Sequence, residues 1–152
     1  MEHATFQIER VYPATPERVF AAFQDPVKKR RWFVDGKGTE VLSYESDFRV
    51  EGEERTQFKM GSGTPVSGRV MENFTKFLEI QPNARLVFAY TMSLEKKPFS
   101  ASLASIELRL EGSSTRLIFT EQAVFFEGAD GAKMREHGWG ELLNALGREY
   151  AA

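Results

Sequence analysis

The stretch DGAKMREHGWGELLNALGREY, Asp130 to Tyr150, decides the fold. On a helical wheel Trp139, Leu142, Leu143, Leu146 and Tyr150 fall at i, +3, +4, +7 and +11, one apolar stripe at the helix period. Lys133, His137, Glu141, Asn144 and Arg148 fall opposite, as a solvated face should. Asp130 is the expected N-cap, with its charge where the helix dipole favours it. Almost everything before this helix reads as strand, so a sheet must close over the apolar stripe.

Working back from the helix, strands follow one another with short turns. Thr115 to Phe126 alternates, with Leu117, Phe119, Ala123 and Phe125 on one face together with Glu121. Phe99 to Leu110 carries Ile106, Leu108 and Leu110 inward, and Arg85 to Leu94 places Leu86, Phe88, Tyr90 and Met92 on one side. Val66 to Ile80 is a strand whose alternation breaks at Glu72-Asn73, where a bulge is expected. Asp47 to Met60 puts Phe48, Val50, Gly52, Thr56 and Phe58 on one side and Asp47, Arg49, Glu51, Glu53, Arg55 and Gln57 on the wet side. Glu40 to Tyr44 is a short strand. Near the start, Phe6 to Tyr12 is a strand, and Thr15-Pro16 and Asp25-Pro26 each combine an N-cap with Pro at the first helical position. The order is one strand, two short helices, about six antiparallel strands and one long helix: an α+β pattern in a single domain, residues 1–152.

Composition narrows the function. The chain has 152 residues, 41% hydrophobic, with thirteen Phe and a net charge of −2. That charge leaves no electrostatic footprint for nucleic acid. The basic run Lys28-Lys29-Arg30-Arg31 reads as a solvated helix face. Without Cys, disulfides and thiolate chemistry are excluded, and two unrelated His do not make a transition-metal site. No signal peptide or membrane span is visible, so a cytoplasmic location with no membrane insertion is expected. No nucleophile elbow or phosphate-cradling loop is present, and no catalytic residue, metal or cofactor is assigned.

Candidate site residues come from the inward-facing positions. Glu121 shares the parity of Phe119 and Ala123, and a carboxylate there needs a partner. Arg135 lies on the Trp139 side of the last helix, near the end of the Glu121 strand, so a Glu121–Arg135 pair at the cavity mouth is expected. In such a pair the Arg charge lowers the Glu121 pKa while burial raises it. Trp32, Phe33, Phe48, Phe58, Phe88, Tyr90, Met92, Phe119 and Trp139 form either plain core or the wall of a pocket, with Tyr90 and Trp139 bringing polar tips. Gly138 borders the apolar stripe and leaves room beside the sheet.

The element order resembles the START-related, birch-pollen-allergen-like (SRPBCC) superfamily, a helix-grip fold in which a curved sheet holds a long carboxyl-terminal helix around a cavity. ATPERVFAAFQDPVKKRRWF, FLEIQPNARLVFAYTM and SLASIELRLEGSSTRLIFTEQAVFFEGAD followed by REHGWGELLNALG resemble segments of the family homologous to the activator of the heat-shock-ninety chaperone ATPase. The resemblance implies binding of a small apolar or aromatic molecule, and the inward-facing positions offer Trp32, Phe48, Phe58, Phe88, Tyr90, Met92, Phe119, Glu121, Arg135 and Trp139 as its ligand-binding residues. It also implies two rivals: an enzyme of the polyketide cyclase type, and a protein-interaction module with a chaperone partner that uses the outer sheet face and the basic run. Ile118, Val124 and Phe126 face outward on the last strand and point to a homodimer.

Overall fold

The computed structural model describes residues 1–151. Its elements run β1 (Glu2–Tyr12), α1 (Pro16–Gln24), α2 (Pro26–Lys29), one π-helical turn (Arg30–Val34), β2 (Glu40–Ser46), β3 (Glu53–Lys59), β4 (Val70–Gln81), β5 (Arg85–Leu94), β6 (Lys97–Glu111), β7 (Ser114–Phe125) and α3 (Ala132–Arg148). This is the helix-grip α+β architecture expected from the sequence. The seven strands form one curved antiparallel sheet in the order β1-β7-β6-β5-β4-β3-β2. Strands β1 and β2 are its two edges, and α1, α2 and the π turn carry the chain from one edge to the other. No helix among the described residues is long and apolar enough to cross a membrane.

Both short helices start as their sequences dictate. The Thr15 hydroxyl accepts from the Arg18 amide at 3.2 Å and the Asp25 carboxylate from the Val27 amide at 2.9 Å. Helix α3 lays Trp139, Leu143, Leu146 and Arg135 against the sheet, all buried, while Lys133, His137, Glu141, Asn144 and Arg148 are exposed. The Tyr12 hydroxyl of β1 donates to the Leu143 carbonyl at 2.8 Å and fastens α3 to that edge.

Several local expectations are corrected. Gly131, not Asp130, is the N-cap of α3, and the Ala132 amide donates to the carboxylate of Glu2 at 3.1 Å. Asp130 is occupied by Arg135 instead. The bulge of β4 lies at Leu78, between the Phe77 and Glu79 pairings, and the register runs unbroken through Glu72-Asn73. Strand β3 begins only at Glu53, because residues 47–52 fold into a tight turn. A Cβ at Gly52 would stand 2.1 Å from the Asp47 carbonyl oxygen, so only glycine closes that turn. Strand β4 begins at Val70, since residues 64–69 belong to the preceding turn. Leu110 is 68% exposed at the far end of β6 rather than inward.

The basic run is not simply a solvated face. Lys29 is 6% exposed and its Nζ lies 2.6 Å from Glu54 Oε1, inside the protein. Glu54, 2% exposed, also accepts from Ser46 Oγ at 2.9 Å and Tyr44 Oη at 3.2 Å. This pair pins α2 to β3, directly beneath the π turn that carries Phe33 and Val34.

Candidate functional site

A cavity of about 260 Å³ lies between α3, the π turn and the inner face of β2 to β5. Its wall is mainly apolar: Phe33 and Val34 from the π turn, Val41 and Phe58 from the sheet edge, Met92 from β5, and Met134, Trp139 and Leu142 from α3. Gly138 also lines it, and a Cβ at that position would meet nothing within 4 Å. The π turn is the local irregularity that aims Phe33 and Val34 at the space; such turns widen a helix by one residue and often mark sites.

Under one side of the cavity sits a dense polar network built from four elements. Alternation along β7 turns Glu121 inward, where it is fully buried. Tyr90 Oη of β5 donates to Glu121 Oε1 at 2.6 Å, and Ser102 Oγ of β6 donates to Oε2 at 2.8 Å. Arg135 Nη1 and Trp139 Nε1, both from α3, donate to Tyr90 Oη at 3.1 Å each. Arg135 then grips Asp130 through Nε and Nη2, both at 2.9 Å, and donates from Nη2 to Ser100 Oγ at 2.8 Å. Bidentate pairing of this kind is the strong form of an ion pair.

The expected Glu121–Arg135 pair is therefore present, with Nη1 3.6 Å from Oε2 and the Tyr90 hydroxyl bridging the two groups. Arg135 lines the cavity and Glu121, fully buried, stands behind it. Burial dominates its electrostatics. Desolvation pushes the Glu121 carboxyl above the ordinary carboxylate range, against the hydrogen bonds from Tyr90 and Ser102 and the Arg135 charge, which pull it down. Arg135 is the one cation here, and it is shared between Glu121, at 3.6 Å, and the closer bidentate contact with Asp130. Burial and the neighbouring carboxyl likewise push the Tyr90 phenol far up, fixing it as a proton-bearing group.

The residues expected to form a wall divide in two. Phe33, Phe58, Tyr90, Met92, Arg135 and Trp139 line the cavity. Trp32, Phe48, Phe88, Phe119 and Glu121 do not. Trp32 is 1% exposed, packs edge-on to Phe23 and donates from Nε1 to the Ala22 carbonyl at 2.9 Å. Phe48 packs on Phe20 and Phe77, and Phe88 backs Tyr90 and Trp139. Phe119 supports the Trp139 ring from behind at a centroid distance of 4.3 Å. These side chains are core behind the site.

Sequence reasoning missed Lys37, Thr39, Thr56, Asn73 and Asp130 as lining residues, and the Lys29–Glu54 pair beneath Phe33. The signal for Glu54 was available: it shares the parity of Gly52, Thr56 and Phe58, the inward side. For Lys37 no pattern existed, because it lies in a glycine-bordered loop whose path only the tertiary structure sets.

Residues 13–150 match the family described as Activator of Hsp90 ATPase homolog 1-like protein. Among solved structures, the chain is similar to the Mll3558 protein from Rhizobium loti, at 45% identity over 97% of both chains and a TM-score of 0.86. It is similar also to a protein from Rhizobium leguminosarum, 36% identical over 96% of this chain and 93% of that one, TM-score 0.88. Protein CV1439 from Chromobacterium violaceum shares 25% identity over 96% of both chains, TM-score 0.76. No curated protein matches the sequence. The strand order, the gripped C-terminal helix and a match across nearly the whole length agree: this chain belongs to the family of Activator of Hsp90 ATPase homolog 1-like proteins.

Proposed function

We propose that the protein binds a small apolar molecule in the cavity between α3 and the sheet and does no chemistry on it. The observation that carries this reading is the combination of an apolar space with a polar network that is satisfied from within. A concave, mostly apolar pocket with a few fixed polar groups is the usual form of a small-molecule site, and 260 Å³ sits just below the common range of about 300–1,000 Å³. The Tyr90 hydroxyl uses its proton on Glu121 and accepts from Arg135 and Trp139, so it aims no free acid or base at a ligand.

The raised Glu121 carboxyl is what an enzyme of the polyketide cyclase type would draw on, passing a proton through Tyr90. That route requires breaking bonds that now hold the floor together, so binding is the better supported reading. The basic run offered to the protein-interaction reading is reduced: Lys29 is paired inside the fold, and Arg30 and Arg31 pair at the surface with Asp35 and Glu149, leaving Lys28 as its one exposed cation outside an ion pair among the described residues. The homodimer reading loses much of its apolar face, since Ile118 is only 6% exposed and Phe126 remains at 38%.

The test is mass spectrometry of organic extracts from freshly purified protein, compared with Gly138→Leu. A Cβ at 138 meets nothing within 4 Å, so Gly138→Leu introduces bulk beside the cavity without a clash at that atom, and circular dichroism checks that the variant folds. A stoichiometric molecule in the parent that is missing from Gly138→Leu supports the proposal. An empty parent extract, with no thermal stabilisation across a library of apolar compounds, overturns it.

A further inference from the structure

Resting on the pocket reading, we infer that the ligand is a monocarboxylic acid with an apolar body, its carboxylate held at the cavity rim by Lys37. The charges of the lining lead there. Three ionised side chains line the cavity: Lys37, Asp130 and Arg135. Asp130 and Arg135 cancel each other in a bidentate pair, with Nη2 of Arg135 2.9 Å from Oδ1. Lys37 is left over, one positive charge at the edge of an apolar space.

Among the described residues no carboxylate stands within ion-pair distance of it. Neither Lys37 nor Arg148 makes an ion pair. Burial and then the Arg148 charge hold the Lys37 amine below its ordinary value, against weaker pulls from Asp35 and Glu141. Lys37 is exposed, so a carboxylate beside it makes a partly solvated ion pair and screens it from the like charge of Arg148. The neutral donors of the lining agree in sign. Asn73 Oδ1 accepts from Thr75 Oγ1 at 3.0 Å, while the amide nitrogen of Asn73 has no protein partner and can donate to a ligand. With the Tyr90 floor satisfied internally, polar recognition moves to the rim, where the Thr39 and Thr56 hydroxyls can serve either sign and the Lys37 charge and the Asn73 amide nitrogen favour an acceptor that is also an anion. One cation matches one negative charge, and the remaining wall is apolar.

Matched probes test this by calorimetric titration: 2-naphthoate against 2-naphthalenemethanol, and decanoate against decanol. Each acid should bind about fivefold more tightly than its alcohol, the size of a partly exposed ion pair, and the preference should shrink as salt is raised. Lys37→Met should bring each acid to within about twofold of its alcohol, and Lys37→Glu should reverse the order. Equal affinity of acid and alcohol in the parent overturns the inference, as does a preference that survives Lys37→Met. Binding of none of the four overturns it too, whereas the pocket reading is decided separately by the organic extract and its Gly138→Leu control.

Discussion

Burial and charge pull the Glu121 carboxyl in opposite directions, and burial wins. Its folded pKa is raised above the ordinary 4.5, so the folded state binds this proton more tightly than the unfolded chain does. The stabilisation is complete below about pH 4.5 and is lost as pH rises through the folded pKa. Glu121→Gln keeps an acceptor for Tyr90 and cannot ionise, so it should gain on the parent protein as pH goes from 5 to 8, read by denaturant midpoints at each pH; a constant difference would refute the assignment. Tyr90→Phe should cost about 2–4 kcal/mol, because it strips one partner from Glu121, Arg135 and Trp139 at once. Much of this was legible beforehand. Alternation along β7 places Glu121 inward, and helical spacing sets Arg135 beside Trp139. Glu54 was missed because the acids around it read as one wet face, and Lys29 because a run of four cations hides which of them turns inward.

At the scale of elements, α3 and the two short helices announce themselves through period and caps, whereas their fastenings are tertiary. Glu2 serves the start of α3 from across the sheet edge, which no local pattern near Asp130 reveals. The β4 bulge falls at Leu78, where the inward positions pass from Phe77 to Ile80 and the parity changes, and not at Glu72-Asn73. The buried Lys29–Glu54 pair joins α2 to β3, and removing one partner leaves the other charge stranded. Lys29→Met or Glu54→Leu alone should therefore destabilise by about 3–5 kcal/mol, and the double variant by less than the sum; a double-mutant cycle checks this, with additivity as the refuting outcome. Gly138→Ala should stabilise α3 by up to about 1 kcal/mol, since the new methyl meets open cavity and glycine is a poor helix former. Unchanged or lower thermal stability would mean that the position is more crowded than it looks.

For the whole molecule, the sequence conveys consecutive antiparallel strands but not which of them closes the sheet, because hairpin turns report only neighbours. The structure sets β1 beside β7, so that Gln7 and Thr120, 113 residues apart, share a hydrogen bond. With pairing this distant, refolding should fall in the millisecond-to-second range, followed by stopped-flow fluorescence of Trp32 and Trp139. Full recovery of the signal within microseconds would contradict it. The same adjacency has a consequence during synthesis. Among the described residues β1 has β7 as its one sheet neighbour, and β7 leaves the ribosome more than a hundred residues after it. At about 5–20 residues per second, the nascent Phe6 and Ile8 wait roughly 6–20 s for cover. Glu2, Glu9 and Arg10 lie along the same strand, and their charges keep waiting chains from pairing edge to edge with one another.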